Sequence, residues 1–251
     1  MSTTSTTPTP EPAGGLSQVQ RIINVFVSPS STFSDLKRNP TWWVAWLLIC
    51  VMSVPLIVAI QQKVGYDQLV RNQISTNARA REAMEKLPAD QREQRIQAQA
   101  AFGKYIAYAT PIIALIVYVI VAGVLMGTFN FGVGTEVSFS LALAITVFAY
   151  LPAAIKSILA AIALYAGADP EAFDPNNPVA TNLGFFVART DHPALYTLLS
   201  WVDLFGIWIV ILLGIGFSSV SKVKRSTAIY IVAGWYVLTA LLLTGLAAAF
   251  S

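Results

Sequence analysis

Five apolar stretches constrain this chain more than any other feature: residues 42–60, 105–127, 137–165, 195–220 and 227–250. A helix rises about 1.5 Å per residue, so about 20 apolar residues cross a hydrocarbon layer about 30 Å thick. Inside that layer no water is present to satisfy the backbone, and a helix pairs its own amides and carbonyls. The expected fold is therefore all-α, a polytopic membrane protein built as a five-transmembrane-helix bundle. Composition agrees, since 55% of residues are apolar and 12% charged, against about 45–50% and 25% in soluble domains. Sixteen Lys+Arg and thirteen Asp+Glu leave a net charge of +3, too small and scattered for a nucleic-acid footprint. One cysteine, Cys50, and one histidine, His192, are too few for a metal centre, and no G-x-S-x-G nucleophile setting occurs. We expect no catalytic residue, no cofactor and no metal, and read the chain as a non-enzyme.

The segments between the spans differ in character. Residues 1–15 are mostly Ser, Thr, Pro and Gly with a single acid, a composition expected to remain a disordered tail. No basic start followed by an apolar stretch precedes residue 42, so the first span is expected to stay in the mature protein. Within residues 16–41, Leu16, Val19, Ile22, Ile23 and Phe26 recur at helical spacing. They predict an amphipathic helix, either lying in the headgroup layer or packed on the protein's own surface. Ser28-Pro29 and Asn39-Pro40 then bend the chain into an elbow before the first span. Residues 61–104, with eight Lys/Arg and five Asp/Glu, read as two helices outside the membrane, broken at Leu87-Pro88. The third connection, 166–194, is acidic and proline-rich; its Asp169, Glu171 and Asp174 lack the spacing of an EF-hand and read as solvated loop. Pro152 is expected to kink the third span.

An odd number of spans places the two termini on opposite sides. Lys37 and Arg38 before the first span, and the basic turn Lys222, Lys224 and Arg225, argue for a cytoplasmic amino terminus by the positive-inside rule. The whole-chain count runs the other way, six Lys/Arg inside against nine outside. Eight of the nine lie in the long 61–104 connection, where the rule weakens with loop length.

Lys156 and Asp203 are the only formal charges well inside the expected spans, and an unpaired charge there costs at least ~2.5–3.5 kcal/mol. Each lies at a similar depth from the third connection, about 15 Å and about 12 Å at helical rise. Each also shares a helical face with small residues, among them Gly206 and Gly214 beside Asp203. We expect them to pair between neighbouring antiparallel spans. The alternative is that Lys156 snorkels outward while Asp203 caps the start of a shorter helix. A pair could clamp the bundle or belong to a polar path for an ion, proton or lipid headgroup. Gly123 and Gly127 form a small-xxx-small motif that could pack helices within the bundle or join two copies as a homo-oligomer.

The stretch Ser28-Pro29-Ser30-Ser31-Thr32-Phe33, followed by Asn39-Pro40-Thr41-Trp42-Trp43, resembles the start of the membrane domain of the Yip (Ypt-interacting protein) family in its prokaryotic form. The run Leu199-Ser200-Trp201-Val202-Asp203-Leu204-Phe205-Gly206-Ile207-Trp208, then Gly214-Ile215-Gly216-Phe217, the turn at Lys222–Arg225 and Trp235, is similar to that family's last two spans. The resemblance covers about residues 20–250 and rests on composition, with no catalytic motif. It implies an integral membrane protein without known catalysis, whose eukaryotic relatives act in vesicle trafficking through small GTPases and membrane-shaping partners. Two functions follow as expectations. One is a membrane adaptor or organiser meeting anionic lipid or a protein partner at its cytoplasmic face, in a prokaryotic inner membrane. The other is a transporter, channel or lipid-moving protein using the polar site between the third and fourth spans.

Overall fold

The computed structural model of the chain describes residues 15–250, Phe250 by its backbone alone. The tail expected over residues 1–15 falls outside the described residues, Gly15 excepted. Ser17 opens α1 (Gln18–Val27) with a capping box: its hydroxyl accepts the Gln20 N–H, and the Gln20 side chain accepts the Ser17 N–H. Pro29, in the first turn of α2 (Pro29–Leu36), turns the chain back. The two helices form a hairpin that packs on the protein itself. Val25, Phe33 and Leu36 are fully buried, and Phe26 meets Trp208 edge-on at 5.6 Å. Val19, Ile23 and Val27 project from the other side of α1 and are exposed, so the amphipathic helix keeps an uncovered apolar stripe among the described residues. Arg21 and Asp35 close the hairpin with a buried ion pair at 2.7 Å.

The first span is α3 (Trp43–Ala59), prolonged by a π-helical turn to Val64. The segment 61–104, expected as two helices, holds three. α4 (Tyr66–Ser75) and α5 (Ala78–Glu85) are separated by Asn77, whose side chain accepts the Ala80 N–H and caps α5. Beyond Pro88, α6 (Ala89–Gly127) runs unbroken into the second span and on through a π-helical turn to Gly132. Residues 89–104 are mostly Ala, Gln, Glu and Arg, so nothing stops the helix where lipid begins.

The third span is divided. α7 (Phe139–Ala149), capped by Ser138, ends at Tyr150, and α8 (Leu151–Tyr165) starts with Pro152 in its first turn. The kink expected at Pro152 is thus a full break, because proline lacks the N–H that would continue the ladder and suits the start of a new helix. The fourth stretch, 195–220, is likewise not one helix. It holds α9 (Pro193–Ser200), a break at Trp201–Asp203, and α10 (Leu204–Val220), followed by α11 (Arg225–Phe250).

Among the described residues, four helical stretches are long enough and hold an apolar enough segment to cross a membrane, Trp43–Val64, Ala89–Gly132, Phe139–Tyr165 taken across its break, and Arg225–Ala249, and α10 is apolar but shorter. The protein is an all-α polytopic membrane protein. Its core lies where α7 and α10 meet. Every residue from Ala142 to Ala149 is buried, as is the run Leu212–Phe217. Phe129 stacks on Phe217 at 4.5 Å, and α2 leans its Phe33 against Gly216. Small residues govern this packing because lipid tails are as apolar as leucine, so close backbone approach drives association. A Cβ on Gly214 would stand 2.7 Å from the Ile229 Cα, so α10 and α11 touch there only because Gly214 has none.

The extramembrane parts are tied together at each end of the bundle. Asn72 of α4 donates to the carbonyls of Pro170 and Phe173, joining the first and third connections. Arg79 of α5 donates to the Ala249 carbonyl. At the other end Arg225 donates to the Ser30 hydroxyl, joining the basic turn to the amino-terminal hairpin.

Candidate functional site

Lys156 lies on α8, one turn beyond Pro152, and its ammonium donates to Asp203 Oδ2 at 2.8 Å. The Asp203 side chain is 8% exposed and that of Lys156 22%, so the lysine turns inward instead of snorkelling away. Asp203 is also the N-cap of α10: its Oδ1 accepts the Gly206 N–H at 2.9 Å. Both readings of Asp203, as partner and as cap, hold at once, because two oxygens serve two purposes. A third donor, the Thr181 hydroxyl, reaches Oδ2 at 2.7 Å.

Thr181 arrives from the third connection, which does not stay in solvent. Residues 181–183 run antiparallel to the helix break, with a bridge between Asn182 and Asp203. The Leu204 N–H donates to the Thr181 carbonyl at 2.9 Å, and the Leu183 N–H donates to the Val202 carbonyl at 3.3 Å. These bonds take up backbone groups that the break releases, as burial requires. The Trp201 carbonyl accepts the Tyr236 hydroxyl of α11 at 2.7 Å, and the two rings sit edge-on at 5.1 Å. A Cβ on Gly206 would collide with that Tyr236 hydroxyl, so the bare Cα of Gly206 leaves the space the hydroxyl occupies. The site therefore joins α8, α10, α11 and the third connection around one carboxylate.

Of the other residues singled out from sequence, Gly214 lies at the α10–α11 contact, whereas a Cβ at Gly123 or Gly127 would meet nothing within 4 Å. Among the described residues, neither of those two makes the close helix contact that Gly214 makes. Lys222, Lys224 and Arg225 are exposed in the turn between α10 and α11. Asp174 of the acidic loop is bound internally, accepting Arg189 at 3.0 Å and the Tyr196 hydroxyl at 2.9 Å. Among the described residues, no group of three His, Cys, Asp or Glu could hold a metal ion. Thr181 and Tyr236 carry no mark in the sequence. A threonine in a loop and a tyrosine in an apolar run are ordinary, and only a long-range contact gives them a role.

Chemically the arrangement is a neutral, hydrogen-bonded cluster. The carboxylate accepts three donors, each charge has its partner, and no free base or nucleophile projects from it. Its position, at the junction of two interrupted apolar stretches, is where a polar path would also run.

In comparison with known proteins, the family model for the Yip1 domain matches residues 23–247. No curated protein and no solved structure matches the chain.

Proposed function

The chain belongs to the Yip1 domain family, and within it we propose a non-catalytic membrane adaptor or organiser whose bundle is clamped by the Lys156–Asp203 pair. In this reading the bundle crosses the bilayer five times, with the amino terminus cytoplasmic in a prokaryotic inner membrane. The working surface is the end that carries the amino-terminal hairpin and the basic turn. The observation that carries the proposal is the engagement of Asp203, whose oxygens accept Lys156, Thr181 and the Gly206 N–H together. A carboxylate engaged by three donors, with one of its roughly four acceptor sites left over, is better suited to holding elements together than to taking up cargo.

The basic turn supports the same reading. Lys222, Lys224 and Arg225 are exposed, and the Arg225–Ser30 bond sets them beside the hairpin that carries exposed Val19, Ile23 and Val27. Cations next to an apolar helical stripe suit an anionic leaflet or an acidic protein partner.

A second reading, a transporter, channel or lipid-moving protein, is favoured by one observation: the third stretch breaks at Tyr150 and the fourth at Trp201–Asp203. Interrupted helices are the usual place for a midplane binding site. Flux into proteoliposomes separates the two. The adaptor reading expects no flux above empty vesicles, with or without Asp203→Asn, and a partner recovered from membranes that is lost when Lys222, Lys224 and Arg225 are changed to Gln. Flux abolished by Asp203→Asn would sink it.

A further inference from the structure

α9 and α10 follow one another along α11, and three contacts set the levels. Gly214 meets Ile229, Gly206 and Trp201 meet Tyr236, and Pro193 and Thr197 share a small cavity with Ala247. Measured against α11, the third connection reaches deep. Arg189 and Thr190 line the cavity at the Ala247 level, whereas Thr181 bonds Asp203 near the Tyr236 level, about 16 Å further along the helix. Between them lies the 3-10 turn Leu183–Phe186, pressed on α9: a Cβ on Gly184 would stand 2.8 Å from both the Ser200 nitrogen and the Tyr196 carbonyl oxygen. The turn is therefore level with residues 237–246 of α11. That run is uncharged, belongs to a helix long and apolar enough to cross a membrane, and exposes Leu241, Leu242 and Leu246.

Around the turn polarity is inverted. Asn177 and Asn182 are 7% and 4% exposed, whereas Leu183, Phe185 and Phe186 are 49%, 50% and 75% exposed. The Asn182 side chain is bonded to Asn177 and accepts the Phe185 N–H. A loop bathed in water sorts its residues the other way. The backbone is provided for as well: the Thr181 carbonyl accepts the Leu204 N–H, and the N–H groups of Leu183 and Val187 donate to the carbonyls of Val202 and Gly184. Non-helical chain at membrane depth has to meet that requirement.

We propose that residues 181–187 form a re-entrant turn inserted into the leaflet on the side of the third connection, with Leu183, Phe185 and Phe186 against acyl chains. Level and continuity select lipid as the occupant. The level is that of the exposed leucines on α11. As for continuity, Leu183 bonds Val202, and Val202, Leu204 and Ile207 are exposed in their turn, so the apolar surface carries on from the turn across the helix break to α10. Charge keeps to the other end of the connection. Arg189 sits at the Ala247 level and is paired with Asp174, which also accepts the Tyr196 hydroxyl. An ion pair near the end of the long helix, with apolar side chains beneath it, follows the change in a leaflet from headgroup to hydrocarbon.

The experiment uses the full chain with Cys50→Ala, spin-labelled at one introduced cysteine at a time, in vesicles of dioleoylphosphatidylcholine and dioleoylphosphatidylglycerol. Relaxation of the label by oxygen, which collects in hydrocarbon, is compared with relaxation by an aqueous nickel chelate. Leu183→Cys and Phe186→Cys should favour oxygen, as Leu241→Cys does on α11, whereas Glu171→Cys at the exposed start of the connection should favour nickel. Nickel-dominated relaxation at 183 and 186, matching that at 171, would return the turn to water and overturn the proposal. Protection from both reagents at 183 and 186 would overturn it too, by placing protein over the turn, a second copy where labels at 186 broaden one another. Both side chains are exposed and report independently, so the loss of one variant leaves the measurement intact.

Discussion

Two ion pairs in the described residues are largely withdrawn from solvent, and they fasten different things. Arg21 and Asp35 are 14 residues apart on one hairpin, and their side chains are 4% and 9% exposed. Arg21 Nε and Nη2 both reach Asp35 Oδ2 at 2.7 Å, while Nη1 donates to the Asn39 carbonyl at 3.0 Å. Everything it holds lies within residues 16–39. Lys156 and Asp203 are 47 residues apart, and their pair adds the third connection through Thr181. The first pair is a local lock on a helical hairpin; the second is a tie between distant parts of the bundle. A buried pair is weak evidence for net stability against an apolar replacement, but breaking one by removing a single partner is costly. The two should therefore fail alike in size and differently in reach.

Asp203→Ala should have the largest effect. It strands the Lys156 ammonium, removes the α10 cap and leaves Thr181 without its acceptor, a loss of about 3–5 kcal/mol from the stranded charge with about 1 kcal/mol more from the cap. Thermal unfolding in detergent should show a lowered transition for the whole chain. Adding Lys156→Met to Asp203→Asn should recover much of the loss caused by either single change, the coupling expected of contacting residues. Independent, additive losses would undo the tie. Arg21→Met comes next, at about 3 kcal/mol from the unpaired Asp35, but confined to the hairpin. Protease nicking within residues 16–39 should rise while the main transition stays in place, and a transition lowered as far as in Asp203→Ala would erase the distinction between lock and tie. The smallest effects come from the glycines. Gly214→Leu drives a side chain into the Ile229 backbone and should destabilise by about 1–3 kcal/mol, whereas Gly123→Leu meets open space and should stay within about 0.5 kcal/mol. Similar losses at both would place Gly123 in a contact this chain alone does not make.

Their legibility in the sequence differed just as much. Lys156 and Asp203 stand out because charge within an apolar run is anomalous, and their matched depths suggest a meeting. Arg21 and Asp35 sit among Gln, Asn and Ser, where charge is expected and carries no signal. The spans were readable from hydropathy, yet the breaks at Tyr150 and Trp201–Asp203 were less so. Pro152 marked a disturbance without showing whether the helix would bend or restart. The break before α10 is decided by Asp203 acting as a cap, by Thr181 folding back from about 20 residues away and by Tyr236 from the next helix, and hydropathy registers none of these. Asn77 is a cap inside a polar segment, where one cap among many candidates does not declare itself, so α4 and α5 merged into one expected helix.

The late start of α10, at Leu204, has a further consequence. Its 17 residues reach about 26 Å, while the neighbouring 26 residues of α11 reach about 39 Å. No single sheet of lipid suits both: the long rod must lean, and the short one draws the headgroups inward on its flank, each at a modest energy per ångström of mismatch. Summed over the protein's perimeter, that difference favours thin membrane over thick. Where Asp203 sets the first turn of α10 thus also sets which bilayer the protein inhabits most comfortably.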